Sequence, residues 1–155
     1  VNSYKRINEG YEAPRYVSWA RNNRSALVRV PIPKPGKVDS TRIEYRALDP
    51  ACNPYLAFSV LLAAGLSGIE QGMSLPPEAR VNLYDLSRNE QRNLGVDSLP
   101  DDLSEALDEM EASSLVRSAL GDHIFEWFLR NKRAEWTEYQ RQVTPFELET
   151  YLPNW

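Results

Sequence analysis

The sequence predicts an α+β fold in which short antiparallel strands pack on a buried helix and a mostly helical C-terminal half follows. Three observations lead to this prediction. Side chains alternate in character along residues 25–32 and 42–48, as they do in β-strands. A helix sequence that is apolar nearly all round starts at Pro54, and helix-capping signals recur after residue 100. With 155 residues, the chain has the size of one ordinary domain.

Charge is distributed unevenly along the chain. Residues 1–50 contain ten lysines and arginines against five acidic residues, whereas residues 51–155 contain eight against seventeen. A basic first third on a chain with a net charge of −4 favours a local anion site over a nucleic-acid-binding surface. We therefore expect small-molecule ligands and no nucleic-acid partner.

The rare residue types limit the possible chemistry. Cys52 is the single cysteine, so no disulfide can form within the chain, and this composition fits a reducing, cytoplasmic compartment. With a single histidine, His123, a zinc site of the His and Cys type is effectively excluded. The longest apolar run, near residues 55–66, is shorter than the roughly 20 residues that a bilayer requires, so we expect no membrane contact.

Residues 1–19 are polar and rich in turn-forming residues, which predicts a surface loop. The loop carries Arg6 and Glu12, and Gly10 and Pro14 mark its turns. Two interpretations are open from composition: a mobile flap over a site, or an ordinary solvated loop.

The two predicted strands carry the candidate site. Arg42, Glu44 and Arg46 alternate along the second strand and should project to one face. Arg24 and Arg29 bracket the first strand, and their spacing of five predicts opposite faces unless the strand bends. Guanidinium groups bind carboxylates and phosphates through paired hydrogen bonds, and a carboxylate among them can hold a divalent cation. The alternative is a solvated strand face without a site.

The apolar helix has clear ends. Asn53 suits its N-cap, Pro54 its first helical position and Gly72 its C-terminal stop. Because its apolar residues surround the whole helix, we expect it to be buried. An extended surface loop should follow over residues 73–100, with at most one helical turn near residues 87–91.

The remaining sequence predicts a series of helices. Asp102 begins one with capping-box spacing, and a shorter helix over residues 114–120 should end at Gly121. Asp122 is expected to cap a longer helix, and Thr144 starts the last short one. The apolar side of the long helix is formed by Phe125, Phe128, Leu129, Trp136 and Tyr139.

Several motifs occur together in one order. NSYKR, GYEAP, NRSALVRVP, TRIEYR and LDPACNPYLAF, at these distances, resemble the C-terminal part of the catalytic domain of class I glutamine synthetases. The resemblance extends over residues 1–155, with substrate- and phosphate-binding loops and strands in residues 1–50 and a largely helical part in residues 51–155. It favours the site interpretation over the solvated strand.

The resemblance implies an ATP-dependent ligase. Such enzymes form glutamine from glutamate and ammonia through γ-glutamyl phosphate, with Mg²⁺ or Mn²⁺, in a homododecamer of two hexameric rings. Further metal ligands of the family would precede Val1. We therefore expect this chain, as a fragment of such an enzyme, to be inactive when isolated.

The resemblance also assigns residues to the organic substrates. Arg6 and Arg46 match arginines that bind glutamate. Arg24 matches the arginine that reaches both the transferring phosphoryl group and glutamate. Glu12 matches the flap carboxylate that closes the site and helps to take a proton from ammonium.

Nucleotide and metal ligands are implied in the same way. Arg29 matches a ligand of the ATP phosphates, and Lys37 is a further nucleotide candidate from the adjoining loop. Glu44 matches a ligand of the divalent cation. Tyr84 in NLYDL matches a tyrosine that some bacterial members carry in adenylylated form, but SRNE follows it here in place of Pro-Pro-Glu-Glu, so a structural role is equally open.

Two alternatives to glutamine formation are open at this point. Relatives within the family join glutamate to polyamines or other amines, and the sequence does not settle the amine. A protein of another class, a non-catalytic module for nucleotides or anions, would use the arginines without any chemistry. Such a module has no use for a flap carboxylate, so Glu12 separates it from a ligase.

Overall fold

The computed structural model describes residues 1–7, 13–86, 90 and 95–154. A small three-stranded sheet stands beside a set of helices, which confirms the predicted α+β class. The strands are β1 (Trp19–Arg21), β2 (Val28–Val30) and β3 (Glu44–Tyr45). The helices are α1 (Asn2–Lys5), α2 (Pro54–Glu70), α3 (Leu103–Ala112), α4 (Ser114–Leu120), α5 (Asp122–Gln140) and α6 (Pro145–Tyr151), with 3₁₀ turns at Val38–Ser40, Leu83–Asp85 and Leu152–Asn154.

The sheet has the order β1-β2-β3 and is mixed. Strands β2 and β3 pair in the predicted antiparallel sense, but both are shorter than the alternation of side chains indicated. Strand β1, which the sequence did not predict, pairs parallel to β2 with Trp19 opposite Val28. Three residues are too few to establish a period-two pattern, which explains why β1 had no sequence signal.

Two groups of buried side chains hold the fold together. The first lies at the sheet and consists of Ala20, Ala26, Leu27 and Leu83. The second joins the helices and consists of Leu103, Leu107, Phe125 and Leu129, with Tyr4 of α1 packed against it. Because Tyr4 is two residues before Arg6, this contact ties the N-terminal arginine segment to the helical half.

The prediction that α2 is buried is wrong for this chain. Tyr55 and Ile69 are 82% and 78% exposed, and no residue of the helix is fully buried. The helix packs chiefly on α4, which covers only part of its apolar surface. A helix that is apolar on all sides requires packing contacts on all sides, but the described residues supply only part of these contacts for α2. No described helix has the length and apolar character needed to cross a membrane.

The predicted ends of α2 are confirmed. Asn53 caps the first turn through its side chain, which accepts a bond from Tyr55 N at 3.0 Å. At the other end Gly72 has φ +60°, and Met73 N donates to Gly68 O at 3.0 Å, as in a Schellman motif. A residue without Cβ adopts this left-handed conformation without strain.

The C-terminal helices follow the predicted caps, with one correction. Asp102 and Thr144 cap α3 and α6 through bonds to the backbone three residues on. Asp122 does not cap α5: Gly121 is the N-cap, and Asp122 is the first helical residue. Its carboxylate instead binds Arg117 of α4 at 2.5 Å. The predicted turn near residues 87–91 lies almost wholly outside the described residues.

Candidate functional site

An ion-pair cluster forms where β2 faces β3. The register places Arg29 opposite Glu44, and Arg29 Nη1 donates to Glu44 Oε2 at 2.9 Å. Arg42 donates from Nη2 and Nε to Glu44 Oε1, at 2.6 and 3.1 Å. Asn22 Oδ1 accepts a further bond from Arg29 Nη2 at 3.2 Å. Arginines on either side therefore bind both oxygens of one carboxylate.

The hydrogen bond from Arg42, with the bond and positive charge of Arg29, lowers the pKa of Glu44 below its ordinary value of 4.5, while desolvation opposes the shift. The carboxylate is consequently ionised at neutral pH. It is also accessible, since 28% of the Glu44 side chain is exposed.

We expect the Glu44 carboxyl group to titrate below pH 4.5 in the folded chain, as followed by NMR of its side-chain carbon. Because the folded pKa is lowered, these ion pairs stabilise the folded state above the ordinary pKa and lose that contribution as pH falls through the folded value. Arg42→Ala should move the midpoint upward, and Arg80→Ala, at an exposed arginine outside the cluster, should not. A midpoint at or above 4.5 in the unaltered chain would contradict this expectation.

Glu44 is the candidate ligand for a divalent cation. Mg²⁺ is commonly held by one or two carboxylates together with substrate phosphates and water, so one ionised, accessible carboxylate fits one position of such a site. In the described part of the chain, no group of three or more His, Cys, Asp or Glu side chains could hold a metal ion. The described residues therefore fit one ligand of a metal site but do not form a complete one.

A cleft lies beside Arg46, which follows Glu44 by two residues in the sequence. It has a volume of about 270 Å³ and is lined by Asn23, Arg24, Ser25, Arg46, Asn82 and Tyr84. Arg46 N donates to Leu27 O at 2.9 Å, which extends the pairing of β2 with β3. The guanidinium of Arg46 then donates to the carbonyls of Arg24 and, at 3.3 Å, Ala26. Two of the predicted arginines thus share one cleft.

Side-chain hydrogen bonds of Asn23 and Ser25 hold the backbone on either side of Arg24 in place. Asn23 Nδ2 donates to the carbonyls of Ala79 and Val81, at 2.8 and 2.9 Å, and Asn23 Oδ1 accepts from Ser25 N at 2.9 Å. Ser25 Oγ accepts from Leu83 N at 3.2 Å. Sequence analysis did not single out these residues. The Asn-x-Ser spacing indicates the local turn, but nothing local indicates the bonds across more than 50 positions.

Arg6 contacts backbone groups. Its Nη2 lies 3.4, 3.1 and 3.1 Å from the carbonyl oxygens of Arg46, Ala47 and Leu48. Its Nε is buried with no hydrogen-bond partner among the described residues. These bonds fix the chain directly after β3, so Arg6 supports the segment that carries Arg46. Its contact with glutamate stays a prediction.

Of the other predicted residues, Tyr84 lines the cleft, and the rest lie apart from it or outside the described structure. The side chain of Lys37 is exposed on a turn, where Lys37 O accepts from Ser40 N at 3.0 Å, and it does not line the cleft. Arg29 belongs to the ion-pair cluster and not to the cleft lining. Glu12 lies outside the described residues. Tyr84 lines the cleft, and its hydroxyl donates to Ala13 O at 2.6 Å.

Two arginines at one cleft, on a chain that also carries an ionised carboxylate on its small sheet, are the arrangement expected in the class of proteins that bind anionic small molecules. Comparison with known proteins gives the family. A family model described as the catalytic domain of glutamine synthetase matches residues 1–151. The chain therefore belongs to the glutamine synthetase catalytic-domain family, which confirms the resemblance found in the sequence motifs.

Individual relatives agree with the family match. A glutamine synthetase of Mycobacterium bovis is 57% identical over 152 residues, which cover 98% of this chain and 34% of that protein. One of Mycolicibacterium smegmatis is 56% identical over 152 residues, with the same coverage of 98% and 34%. A structure of a GmaS–ADP complex has a TM-score of 0.81 at 34% identity, covering 99% of this chain and 34% of that one. The chain spans about a third of the length of the curated relatives it matches.

Proposed function

We propose that this chain supplies part of the active site of an ATP-dependent ligase that forms L-glutamine from L-glutamate and ammonia through γ-glutamyl phosphate. One observation carries the proposal: Arg24 and Arg46, which come from separate parts of the sequence, line a single cleft. Paired guanidinium groups suit the carboxylates of glutamate and the phosphoryl group that is transferred to it.

The chemistry fits the side chains around this cleft. Phosphoryl transfer requires positioning and fixed positive charge more than covalent participation by the protein. In the proposal, Arg24 meets the transferring group, Arg29 binds ATP phosphate, and Arg46 and Arg6 orient glutamate. Lys37 remains a further candidate for the nucleotide. Glu44 would hold Mg²⁺ or Mn²⁺, which neutralises phosphate charge when bound.

Ammonia requires a different kind of group. Ammonium must lose a proton before its nitrogen can attack the acyl phosphate, and a carboxylate in a poorly hydrated site attracts the cation and accepts the proton. We assign this role to Glu12, on the strength of the GYEAP motif.

A chimera tests the proposed function directly. In it, this chain replaces the matching segment of the Mycobacterium bovis relative, to which it is 57% identical. With ATP, glutamate, ammonium and Mg²⁺, the chimera should form glutamine and phosphate in equal amounts. The isolated 155-residue chain should form neither, because the described residues supply a single candidate metal ligand, Glu44, and no complete metal site. A chimera that is folded and binds ADP but forms no glutamine would contradict the proposal, and so would robust synthesis by the isolated chain.

The likeness to GmaS, a γ-glutamylmethylamide synthetase, favours a second candidate in which the acceptor is a larger amine. Competition between ammonium and methylammonium in the chimera separates the two. Preferential formation of γ-glutamylmethylamide would replace ammonia as the proposed substrate. Release of phosphate in the absence of any amine would instead indicate hydrolysis of γ-glutamyl phosphate.

We place the working enzyme in the cytoplasm, as a homododecamer of two hexameric rings, in keeping with the family resemblance. Residues 1–50 would bind substrate and phosphate, and residues 51–155 would form the mostly helical remainder of the same catalytic domain. For Tyr84, adenylylation and a structural role are both open, and mass spectrometry of the protein from its native cells decides between them.

A further inference from the structure

Asn22 joins the ion-pair cluster to the segment that carries Arg24. Its side-chain Oδ1 accepts a hydrogen bond from Arg29 Nη2 at 3.2 Å, and its backbone N–H donates to Val30 O at 3.1 Å. Asn22 has φ +55°, a left-handed conformation that no other non-glycine residue adopts in the described part of the chain. Asparagine adopts this conformation more readily than most residues. The backbone therefore bends after β1 so that the Asn22 amide reaches Arg29, and Arg24 follows two residues later.

The guanidinium of Arg29 is held at both of its terminal nitrogens. Glu44 Oε2 accepts from Nη1 at 2.9 Å, and the Asn22 amide oxygen accepts from Nη2. Each terminal nitrogen has two N–H groups, so one N–H on each is left without a partner among residues 1–7, 13–86, 90 and 95–154. A planar group held at two points resists rotation, so these two N–H groups keep a fixed direction. Guanidinium N–H groups of this kind bind phosphate oxygens.

The two acceptors of Arg29 differ in charge. The Glu44 carboxylate is negative, and Arg42 binds it as well. The Asn22 amide is neutral, so it orients the guanidinium without adding a negative charge that would repel a phosphate. Asn22 thus fixes the direction of Arg29 and leaves its positive charge available to an anion.

We propose that Asn22 is a positioning residue that orients the Arg29 guanidinium toward a nucleotide phosphate. This inference rests on the proposed function, in which Arg29 binds ATP phosphate, and adds the residue that fixes its direction. Asn22 acts through Arg29 alone in this account. Its effect on nucleotide affinity should therefore disappear when the guanidinium is absent.

A double-mutant cycle in the chimera tests this dependence. Asn22→Gly removes the amide and keeps the left-handed backbone without strain. It should weaken ADP binding, measured by calorimetry, about 2- to 10-fold, the range expected for loss of one hydrogen bond. In the Arg29→Ala background, adding Asn22→Gly should cause no further loss. Equal losses in the two backgrounds would show a general structural effect and overturn the inference.

Asn22→Ala separates the amide from the backbone. Alanine also lacks the acceptor, but it is strained at φ +55°, so this variant should have a lower Tm than Asn22→Gly. Both variants should lose ADP affinity to the same extent, because both lack the amide oxygen. Full ADP affinity in folded Asn22→Gly overturns the inference. Arg29→Met, which keeps the unbranched stem of the side chain, replaces Arg29→Ala in the cycle if the alanine variant does not fold.

The outcomes separate this inference from the proposed function. A chimera that binds ADP but forms no glutamine contradicts the proposed function, and the cycle then still decides whether Asn22 orients Arg29. A chimera that forms glutamine but shows equal losses in the two backgrounds overturns the role of Asn22 alone. A folded chimera that binds no ADP overturns both.

Discussion

Replacing Arg24 by alanine should lower the turnover of the chimera about 10³-fold, the effect typical of removing an arginine that contacts a transferring phosphoryl group. The affinity for ADP, measured by calorimetry, should change by less than about tenfold, because the nucleotide contact proposed for Arg29 stays in place. The fold should survive. The Arg24 side chain is exposed, and Arg24 contributes its carbonyl, not its guanidinium, to the bond with Arg46.

Two further variants sharpen this test. Arg24→Lys keeps the charge but loses the planar pair of donors, so it should recover only part of the activity. Arg80→Ala removes an exposed arginine that does not line the cleft, and it should leave turnover unaffected. If Arg24→Ala and Arg80→Ala had equal effects, Arg24 would have no direct part in the chemistry.

Glu12→Ala should reduce glutamine formation by roughly 10²- to 10⁴-fold, as expected for loss of a group that takes up a proton in the reaction. Binding of ATP should be nearly unchanged, because a carboxylate makes no favourable contact with phosphate. Glu12→Gln keeps the size of the side chain but cannot accept the proton, and it should be equally impaired.

The same experiment separates a ligase from a non-catalytic anion-binding module. A module of that kind gains nothing from Glu12, so the alanine variant would behave as the unaltered protein does. Glu9→Ala, a loss of negative charge three positions earlier, serves as the control for general electrostatic effects. A parallel loss of ATP affinity and turnover on Glu12→Ala would place Glu12 in nucleotide binding and refute the assigned role.

Helix boundaries could be predicted from the sequence because each depends on a few neighbouring residues. Thr144 and Glu147 bind each other's backbone across one turn, and Asn53 and Gly72 act within one turn of the ends of α2. Such bonds need no information about the rest of the fold. Asp122 shows the limit, since its carboxylate binds Arg117 in the preceding helix and not its own first turn.

The pairing of the strands and the contacts of the site could be predicted only in part, because their partners are distant in the sequence. Alternation placed Arg42 and Glu44 on one face, but the pairing of Glu44 with Arg29 follows from the register between β2 and β3. The predicted relation of Arg24 to Arg29 assumed a strand from residue 25, whereas β2 begins at Val28. The motifs were sufficient to identify the family. The alternation of side chains along the strands did not, by itself, show which arginines share a cleft.

The contacts of Arg6 have a consequence for sequence divergence. Its guanidinium meets carbonyl oxygens at positions 46–48, and every amino acid supplies that oxygen. Ala47 and Leu48 can therefore drift during evolution without loosening this anchor, provided the main chain keeps its path.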